Sequence, residues 1–167
     1  CDFIAFIDDD DSWDSNKLSK QYELIIKNNY DLILCDYMIK NKDEKLVIKS
    51  MGKFAKNFKE MILREPGPFL QTILIKKVYL TNNSRLFNNQ SVPSEDWNFF
   101  IELSKLDLSI GYIHECLFTW NINNDNQSLN LWREGFALKY ILNKHKEYIV
   151  ANSGKSEVSN HYRRIGR

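Results

Sequence analysis

The chain opens with an unbroken apolar run that stops at four consecutive aspartates. Phe3 to Ile7 show no alternation of apolar and polar positions, which is typical of a strand buried on both faces, as in a parallel sheet. Asp8 to Asp11 follow directly, so the acidic side chains would lie at the carboxyl end of this strand. Because open α/β sheets bind ligands at that end of their strands, this stretch predicts a binding site as well as a strand.

After the aspartates the apolar positions recur with the period of an α-helix. With Asp14 or Ser15 as the cap, the pattern predicts a helix that ends at about Asn28. One apolar stripe of this helix is predicted to be buried, and it is formed by Leu18, Tyr22, Ile25 and Ile26.

The rest of the pattern mixes strands with helices. In chain order it predicts strands over 31–40 and 46–49, a helix around 54–62, an apolar strand over 69–75, a helix from Ser94 to about Lys105, short strands over 108–113 and 117–122, a loop over 123–126 and a long helix over 128–148. This order implies an α/β fold with a mostly parallel central sheet, antiparallel additions and flanking helices. We assign residues 1–150 to this domain and residues 151–167, by their composition, to a C-terminal tail.

Composition narrows the function classes. The chain has 167 residues, 43% of them hydrophobic, which suits one globular domain. Its 23 basic and 22 acidic residues nearly cancel, so no electrostatic case exists for nucleic acid. No apolar run approaches the roughly 20 residues of a transmembrane segment. The three cysteines are widely spaced and odd in number, which favours neither disulfides nor zinc and suits a reducing, cytoplasmic setting.

The four aspartates are the first chemical candidate. Neighbouring carboxylates repel one another, and their pKa values would rise unless a cation joined them. A hard divalent cation such as Mg²⁺ takes one or two carboxylates together with the oxygens of a bound phosphate. The chain has no glycine-rich phosphate loop, so phosphate recognition would depend on such a metal. The alternative is a solvated acidic loop that caps the next helix.

Glu95 and Asp96 are the second candidate, because they open a predicted helix. The helix dipole favours the ionised form of a carboxylate there, so either residue would be a weak base unless burial beside Trp97 raised its pKa. With a raised pKa, such a carboxylate suits a general base that acts on a hydroxyl. The alternative is an ordinary capping motif.

His114 is the third candidate, at a predicted strand end. A histidine in this position could serve as a further metal ligand or as a proton carrier. The alternative is a histidine that is only hydrogen-bonded.

Taken together, these motifs resemble the family 2 glycosyltransferases of the GT-A fold. The stretch FIAFIDDDDSW at 3–13, followed by Asn16-Lys17-Leu18 and Gln21, resembles the family's aspartate-x-aspartate strand and the helix "P-x-K-L-x-x-Q" behind it. Ser94-Glu95-Asp96-Trp97 resembles its later "E-D-W" helix, and the stretch YIHECL at 112–117 resembles its strand "Y-I-x-x-P-L". The resemblance spans roughly Phe3 to Asn121.

The resemblance implies roles for the candidate residues. Asp10 would be the principal ligand of Mg²⁺ or Mn²⁺, and Asp8 a second ligand nearer the ribose of the nucleotide. Asp9 and Asp11 would flank the site, Asp9 as a further contact to the nucleotide and Asp11 as a further metal ligand. His114 stays the additional metal ligand suggested by its position alone. Asp96 would deprotonate the acceptor hydroxyl, with Glu95 beside it.

The implied reaction is an inverting transfer of a sugar from a nucleotide-diphosphate sugar to a glycan or lipid-linked acceptor. We expect a cytoplasmic protein, peripheral to the inner face of the membrane, and the resemblance is compatible with a homo-oligomer. The resemblance starts at about the family's metal strand. We therefore expect the strands that bind the nucleotide base to be missing and the fragment itself to be inactive.

Two other hypotheses remain open at this point. A haloacid-dehalogenase-like phosphatase begins with an apolar strand and "D-x-D-x-S/T", which Asp8, Asp10 and Ser12 satisfy; Asp8 would then be the nucleophile and Asp10 the acid/base. A non-catalytic assembly or carbohydrate-binding domain could keep the same core without chemistry.

Overall fold

The computed structural model of the protein describes residues 1–41, 45–81, 86–122 and 131–166. The strands are β1 (Phe3–Ala5), β2 (Ser12–Trp13), β3 (Leu32–Lys40), β4 (Leu46–Lys49), β5 (Ile73–Lys76) and β6 (Ile110–Asn121). The helices are α1 (Lys17–Asn28), α2 (Gly52–Lys56), α3 (Phe58–Arg64), α4 (Val78–Thr81), α5 (Glu95–Leu103), α6 (Leu131–Ser153) and α7 (Lys155–Ile165), with 3-10 turns at Leu70–Thr72 and Asn89–Ser91. The loop predicted over 123–126 and the first three residues of the predicted long helix lie outside the described residues.

The sheet is mixed, with strand order β1-β5-β3-β6-β2 and β4 paired to β3. Among the described pairings only that of β3 with β6 is parallel. The predicted α/β class is therefore confirmed, but the sheet is only partly parallel. The reason is physical: a buried apolar run has the same pattern in either direction, so the sequence pattern does not fix strand direction.

β1 is an edge strand, shorter and less buried than predicted. Among the described residues it pairs only with β5, in antiparallel direction, with Phe3 opposite Lys76 and Ala5 opposite Leu74. Its residues are only partly buried, and Ile7, which we predicted to be inside, is 51% exposed. With a hydrogen-bonded neighbour on one side only, the strand is not enclosed as an inner strand would be.

α1 buries a different face from the one predicted. Only Ile25 of the predicted stripe is buried, whereas Leu18, Tyr22 and Ile26 are about half exposed. The buried face consists of Lys17, Gln21 and Ile25, which follow one another at intervals of four residues. The polar members can be buried because they form hydrogen bonds with each other and with backbone carbonyls, as described below.

The main core packs the sheet against α3, α5 and α6. From α5 it contains Trp97, Phe99 and Phe100, which are almost completely buried. This packing fixes the helix whose first turn carries Glu95 and Asp96. The second candidate motif is thus attached to the rigid part of the domain.

The C-terminal residues are not a tail, because 155–165 form α7. Val158 and His161 of this helix are buried, and the His161 ring lies 4.8 Å from the ring of Trp97. His161 Nε2 is also 2.7 Å from the carbonyl oxygen of Leu63. Because α7 contains few apolar residues, its composition alone predicted a C-terminal tail that does not pack on the domain.

β6 replaces the two short strands predicted over 108–113 and 117–122. It continues from Ile110 to Asn121, and its pairing with β3 shifts between Ile113 opposite Cys35 and Cys116 opposite Asp36. The residues between Ile113 and Cys116, His114 and Glu115, form a bulge in this strand.

Candidate active site

The acidic loop, which consists of Asp8 to Asp11, lies in the connection between β1 and β2. Its closing backbone bond runs from the N–H of Asp11 to the carbonyl of Asp8, at 3.3 Å. β2 then pairs with β6, with Ser12 opposite Thr119 and Trp13 opposite Phe118. The C-terminal end of the loop is therefore fixed directly by sheet pairing, and its N-terminal end follows β1 after two further residues.

Three of the four aspartates converge. Each of Asp8, Asp10 and Asp11 offers one carboxylate oxygen, and these atoms all lie within 4.8 Å of one another. Asp9 is exposed and is not part of this group. Three carboxylates at such separations fit a hard divalent cation by the chemistry of their donor atoms.

Two of the three carboxylates, those of Asp11 and Asp8, have raised pKa values. Burial raises the pKa of Asp11 to about 6, and the charges of Asp10 and Asp8 add to the rise, although Asp11 accepts a 3.0 Å hydrogen bond from the N–H of Asn121. The pKa of Asp8 is raised by partial burial and by Asp10 and Asp9, against the effect of a hydrogen bond from Gln71. Removing such mutual repulsion is what a bound cation would do.

The carboxylate of Asp96 does not cap its own helix. Asp96 Oδ2 accepts a 2.9 Å hydrogen bond from the N–H of Leu70, in the 3-10 turn before β5. Ser94 occupies the N-cap position without a capping bond from its side chain. The geometry therefore argues against a plain capping motif at Glu95 and Asp96.

Burial raises the pKa of Asp96 to about 7, and the negative charges of Glu95 and Asp8 add to the effect, while the bond from Leu70 opposes it. The condition that we set for a general base at this position, a pKa raised by burial, is thus met. The influence of Asp8 also shows that the two acidic motifs, 88 residues apart in sequence from Asp8 to Asp96, lie in one electrostatic environment.

Gln71 joins the two motifs and was not among the predicted site residues. Its Nε2 donates to Asp8 Oδ2, while the neighbouring Leu70 holds Asp96. The side chain is 93% buried, since only 7% is exposed. The available signal was a polar residue inside the otherwise apolar run over 69–75.

Lys17 and Gln21 of helix α1 form hydrogen bonds to the 3-10 turn Leu70–Thr72 and to the residue that follows it. Lys17 Nζ donates to Gln21 Oε1 at 2.8 Å and to the carbonyl of Ile73 at 3.4 Å, and it lies 4.4 Å from the centre of the Trp13 ring. Gln21 Nε2 donates to the carbonyl of Thr72 at 2.9 Å. Burial lowers the pKa of Lys17 to about 8. Helix α1 thereby links the acidic loop, through Trp13, to the turn that carries Gln71.

His114 is not brought to the acidic group. Its side chain is 79% exposed, and Nδ1 lies 3.2 Å from Asp36 Oδ2 and 3.0 Å from the hydroxyl of Tyr112. The cause is the bulge in β6, which turns His114 toward Asp36. The predicted metal site therefore consists of Asp8, Asp10 and Asp11, without His114.

Comparison with known proteins decides the family. Residues 1–84 match the sequence model of the family described as Glycosyl transferase family 2, which is half of the chain. The chain belongs to the family 2 glycosyltransferases. This assignment confirms the resemblance drawn from the motifs and removes the basis for the phosphatase hypothesis.

One sequence relative and one solved structure are similar to this family 2 chain. It is 30% identical over 106 residues to the Escherichia coli UDP-Glc:alpha-D-GlcNAc-diphosphoundecaprenol beta-1,3-glucosyltransferase WfgD, a match that covers 62% of the chain and 38% of WfgD. Its fold is similar to the crystal structure of S. aureus TarS in complex with UDP-GlcNAc, with a TM-score of 0.60 and 17% identity over 90% of the chain and 47% of TarS. The likeness to TarS confirms the GT-A fold. The chain thus spans less than half the length of either protein.

None of the helices between residues 1 and 166, outside the gaps at 42–44, 82–85 and 123–130, combines the length and the apolar character that a bilayer crossing needs.

Proposed function

We propose that the protein containing this chain transfers a sugar, with inversion, from a nucleotide-diphosphate sugar to an acceptor hydroxyl. The observation that carries the proposal is the placement of a cation-suited group of carboxylates and a carboxylate with a base-like pKa on either side of one 3-10 turn. Family membership supports the reaction class.

The carboxylates of Asp8, Asp10 and Asp11 would hold Mg²⁺ or Mn²⁺, which supplies positive charge against the leaving diphosphate. Asp9, exposed beside them, would face the nucleotide. Both ions accept oxygen ligands of this kind, so the donor set suits either of them.

Asp96 would act as the general base. It accepts the proton of the acceptor hydroxyl while the acceptor oxygen forms a bond to the anomeric carbon. The bond between that carbon and the diphosphate oxygen breaks at the same time, and its electron pair leaves with the nucleotide diphosphate. A carboxylate with a pKa of about 7 can both lose and accept a proton near neutral pH, which suits this role.

The names of the relatives suggest the substrates. WfgD is named for a UDP-glucose donor and a diphosphoundecaprenol-linked acceptor, and TarS was crystallised with UDP-GlcNAc. We therefore propose a UDP-sugar donor and a glycan or lipid-linked acceptor. An acceptor of the second kind would bring the protein to the cytoplasmic surface of a membrane.

Titration calorimetry with UDP and Mn²⁺ on the whole protein that contains this chain tests the proposal. We expect metal-dependent heat from the unmodified protein and its loss in Asp10→Ala, because Asp10 belongs to the carboxylate group. The matched control is Asp107→Ala, which removes an exposed aspartate outside the acidic loop and should leave the heat unchanged. No metal-dependent heat in the unmodified protein would instead support the non-catalytic domain. Undiminished heat in Asp10→Ala would overturn the metal assignment.

A further inference from the structure

The 3-10 turn Leu70–Thr72 is the connection between the two ends of the candidate site. Its backbone N–H at Leu70 holds Asp96, and its Gln71 side chain holds Asp8. From the other side, its carbonyl at Thr72 accepts hydrogen bonds from Gln21 Nε2 at 2.9 Å and from the thiol of Cys35 at 3.2 Å. A turn with this many partners is a fixed element, so its side chains have defined directions.

The amide of Gln71 is only half satisfied. Nε2 donates to Asp8, but Oε1 is buried and has no hydrogen-bond partner among the described residues. A buried acceptor without a partner is destabilising, and native proteins rarely leave such a group without one. The amide orientation follows from chemistry, because an ionised Asp8 can only accept. The oxygen of Gln71 therefore needs a donor that the described part of the chain does not provide.

The proposed reaction brings such a donor to this place. The diphosphate end of the substrate belongs at Asp8, and the attacked carbon must face the hydroxyl that Asp96 deprotonates. The transferred sugar then lies between these two residues, alongside the turn that contacts both. Sugar hydroxyls are strong donors, and a site that hydrogen-bonds a substrate hydroxyl discriminates well against analogues that lack it.

Resting on the transferase function proposed above, we infer that Gln71 positions the transferred sugar by accepting a hydrogen bond from one of its hydroxyls. The same side chain donates to Asp8, so it couples the position of the sugar to that of the metal-binding loop. Gln71 is thus a substrate-binding residue of the donor subsite and contributes to the choice of sugar.

Binding of UDP and of UDP-sugars separates this role from a general effect on the site. Calorimetry in the presence of Mn²⁺ would compare UDP, UDP-glucose and UDP-GlcNAc on the unmodified protein and on Gln71→Met. The methionine keeps the length of the side chain but removes both hydrogen bonds. We expect the Kd of the better-bound UDP-sugar to rise about fivefold more than the Kd of UDP, as for the loss of one neutral hydrogen bond. Any effect through Asp8 acts on both ligands and cancels in this ratio.

Gln21→Met is the matched control. It removes a buried amide that supports the same turn but is bonded to Lys17 and Thr72 rather than to Asp8. We expect it to lower the melting temperature and to leave the ratio of UDP-sugar to UDP affinity unchanged. An equal change of that ratio in Gln21→Met would mean that Gln71 acts only through the shape of the turn, and would overturn the inference.

Two further measurements keep the inference testable if Gln71→Met does not fold. Gln71→Asn retains the amide but is too short to reach both partners, so it should change the ratio in the same direction. In the unmodified protein, the side-chain ¹⁵N resonance of Gln71 should shift on adding UDP-glucose or UDP-GlcNAc beyond its shift with UDP. If UDP binds but neither the ratio nor the resonance responds to the sugar, only the role of Gln71 is overturned. If the whole protein that contains this chain binds no nucleotide, the transferase proposal itself fails.

Discussion

Helix α5 carries two carboxylates, the partly buried Asp96 and the buried Glu102, with opposite electrostatic environments. Glu102, near its end, accepts hydrogen bonds from Lys105 at 2.8 Å and from Lys144 at 3.0 Å. Burial alone would raise its pKa, but the two lysines outweigh burial and the pKa is lowered. At the start of the same helix, burial and the neighbouring charges of Glu95 and Asp8 raise the pKa of Asp96 to about 7.

The difference distinguishes a carboxylate that stabilises the fold from the one that we propose as the general base. Glu102 is held ionised by two lysines and joins α5 to α6, so its charge stabilises the fold. Asp96 has one backbone donor and, among the described ion pairs, no cationic partner. Its ionised form is therefore poorly stabilised, which is the property that a proton acceptor needs.

The two carboxylates also give opposite contributions to stability as pH changes. Asp96 has a folded pKa above its ordinary value of 3.8, so its contribution falls as pH rises from about 4 to about 7. Glu102 has a folded pKa below its ordinary value of 4.5, so its contribution is present above that pH and is lost as pH falls through the folded pKa. Single substitutions at the two positions should therefore have different consequences.

The largest expected effect is on turnover in Asp96→Asn. Removal of a general base typically costs 10²–10⁴-fold in rate, and we expect a loss of about that size in sugar transfer by the full-length protein. Asparagine can still accept the bond from Leu70, and it removes a poorly stabilised charge. The melting temperature at pH 8 should therefore be unchanged or higher. A variant that keeps more than about a tenth of the activity would contradict the assignment of Asp96 as the base.

Glu102→Gln should show the reverse pattern. It leaves two lysines without their carboxylate, and we expect a loss of about 2 kcal/mol in the free energy of unfolding, less than the 3–5 kcal/mol of a fully buried pair because both lysines reach solvent. Activity per folded molecule should stay near that of the unmodified protein. Urea unfolding at pH 7 measures the first quantity, and an assay normalised to the folded fraction measures the second. Unchanged stability would show that the lysine pairs contribute nothing net.

The sequence identified the candidate acidic motifs, whose roles stay predictions, but not the contacts that join them. Asp8 to Asp11 and Glu95-Asp96 were identifiable because each motif is a local run whose neighbours set its charge and position. Gln71 was missed, and Lys17 and Gln21 entered only through the resemblance to the family's helix motif, because single polar residues in apolar patterns do not reveal their partners. Those partners come from α1 and the turn before β5, which are some 50 residues apart.

For the fold as well, local features could be predicted from the sequence and long-range contacts could not. The α/β class follows from the local order of elements, whereas the mixed strand directions depend on pairing between distant segments. The buried face of α1 was assigned wrongly because Lys17 and Gln21 looked like solvent-facing residues. His114 was proposed as a metal ligand from its position at a predicted strand end, but it lies in the β6 bulge and contacts Asp36 instead.

The smallest expected effect, and the most specific to the raised pKa, is that of Glu95→Gln. Glu95 is one of the charges that raise the pKa of Asp96, so its neutral analogue should lower that pKa. If Asp96 is the base, kcat/KM should rise with pH through the pKa of Asp96, and this rising limb should move to lower pH in Glu95→Gln, by some tenths of a pH unit for one partly screened charge. A bound cation offsets the charge of Asp8 and acts in the same direction, so profiles of both proteins must be measured at the same saturating Mn²⁺ concentration. A rising limb that stays in place would show that Glu95 does not act on the group that limits the reaction, and the electrostatic account of α5 would then be wrong.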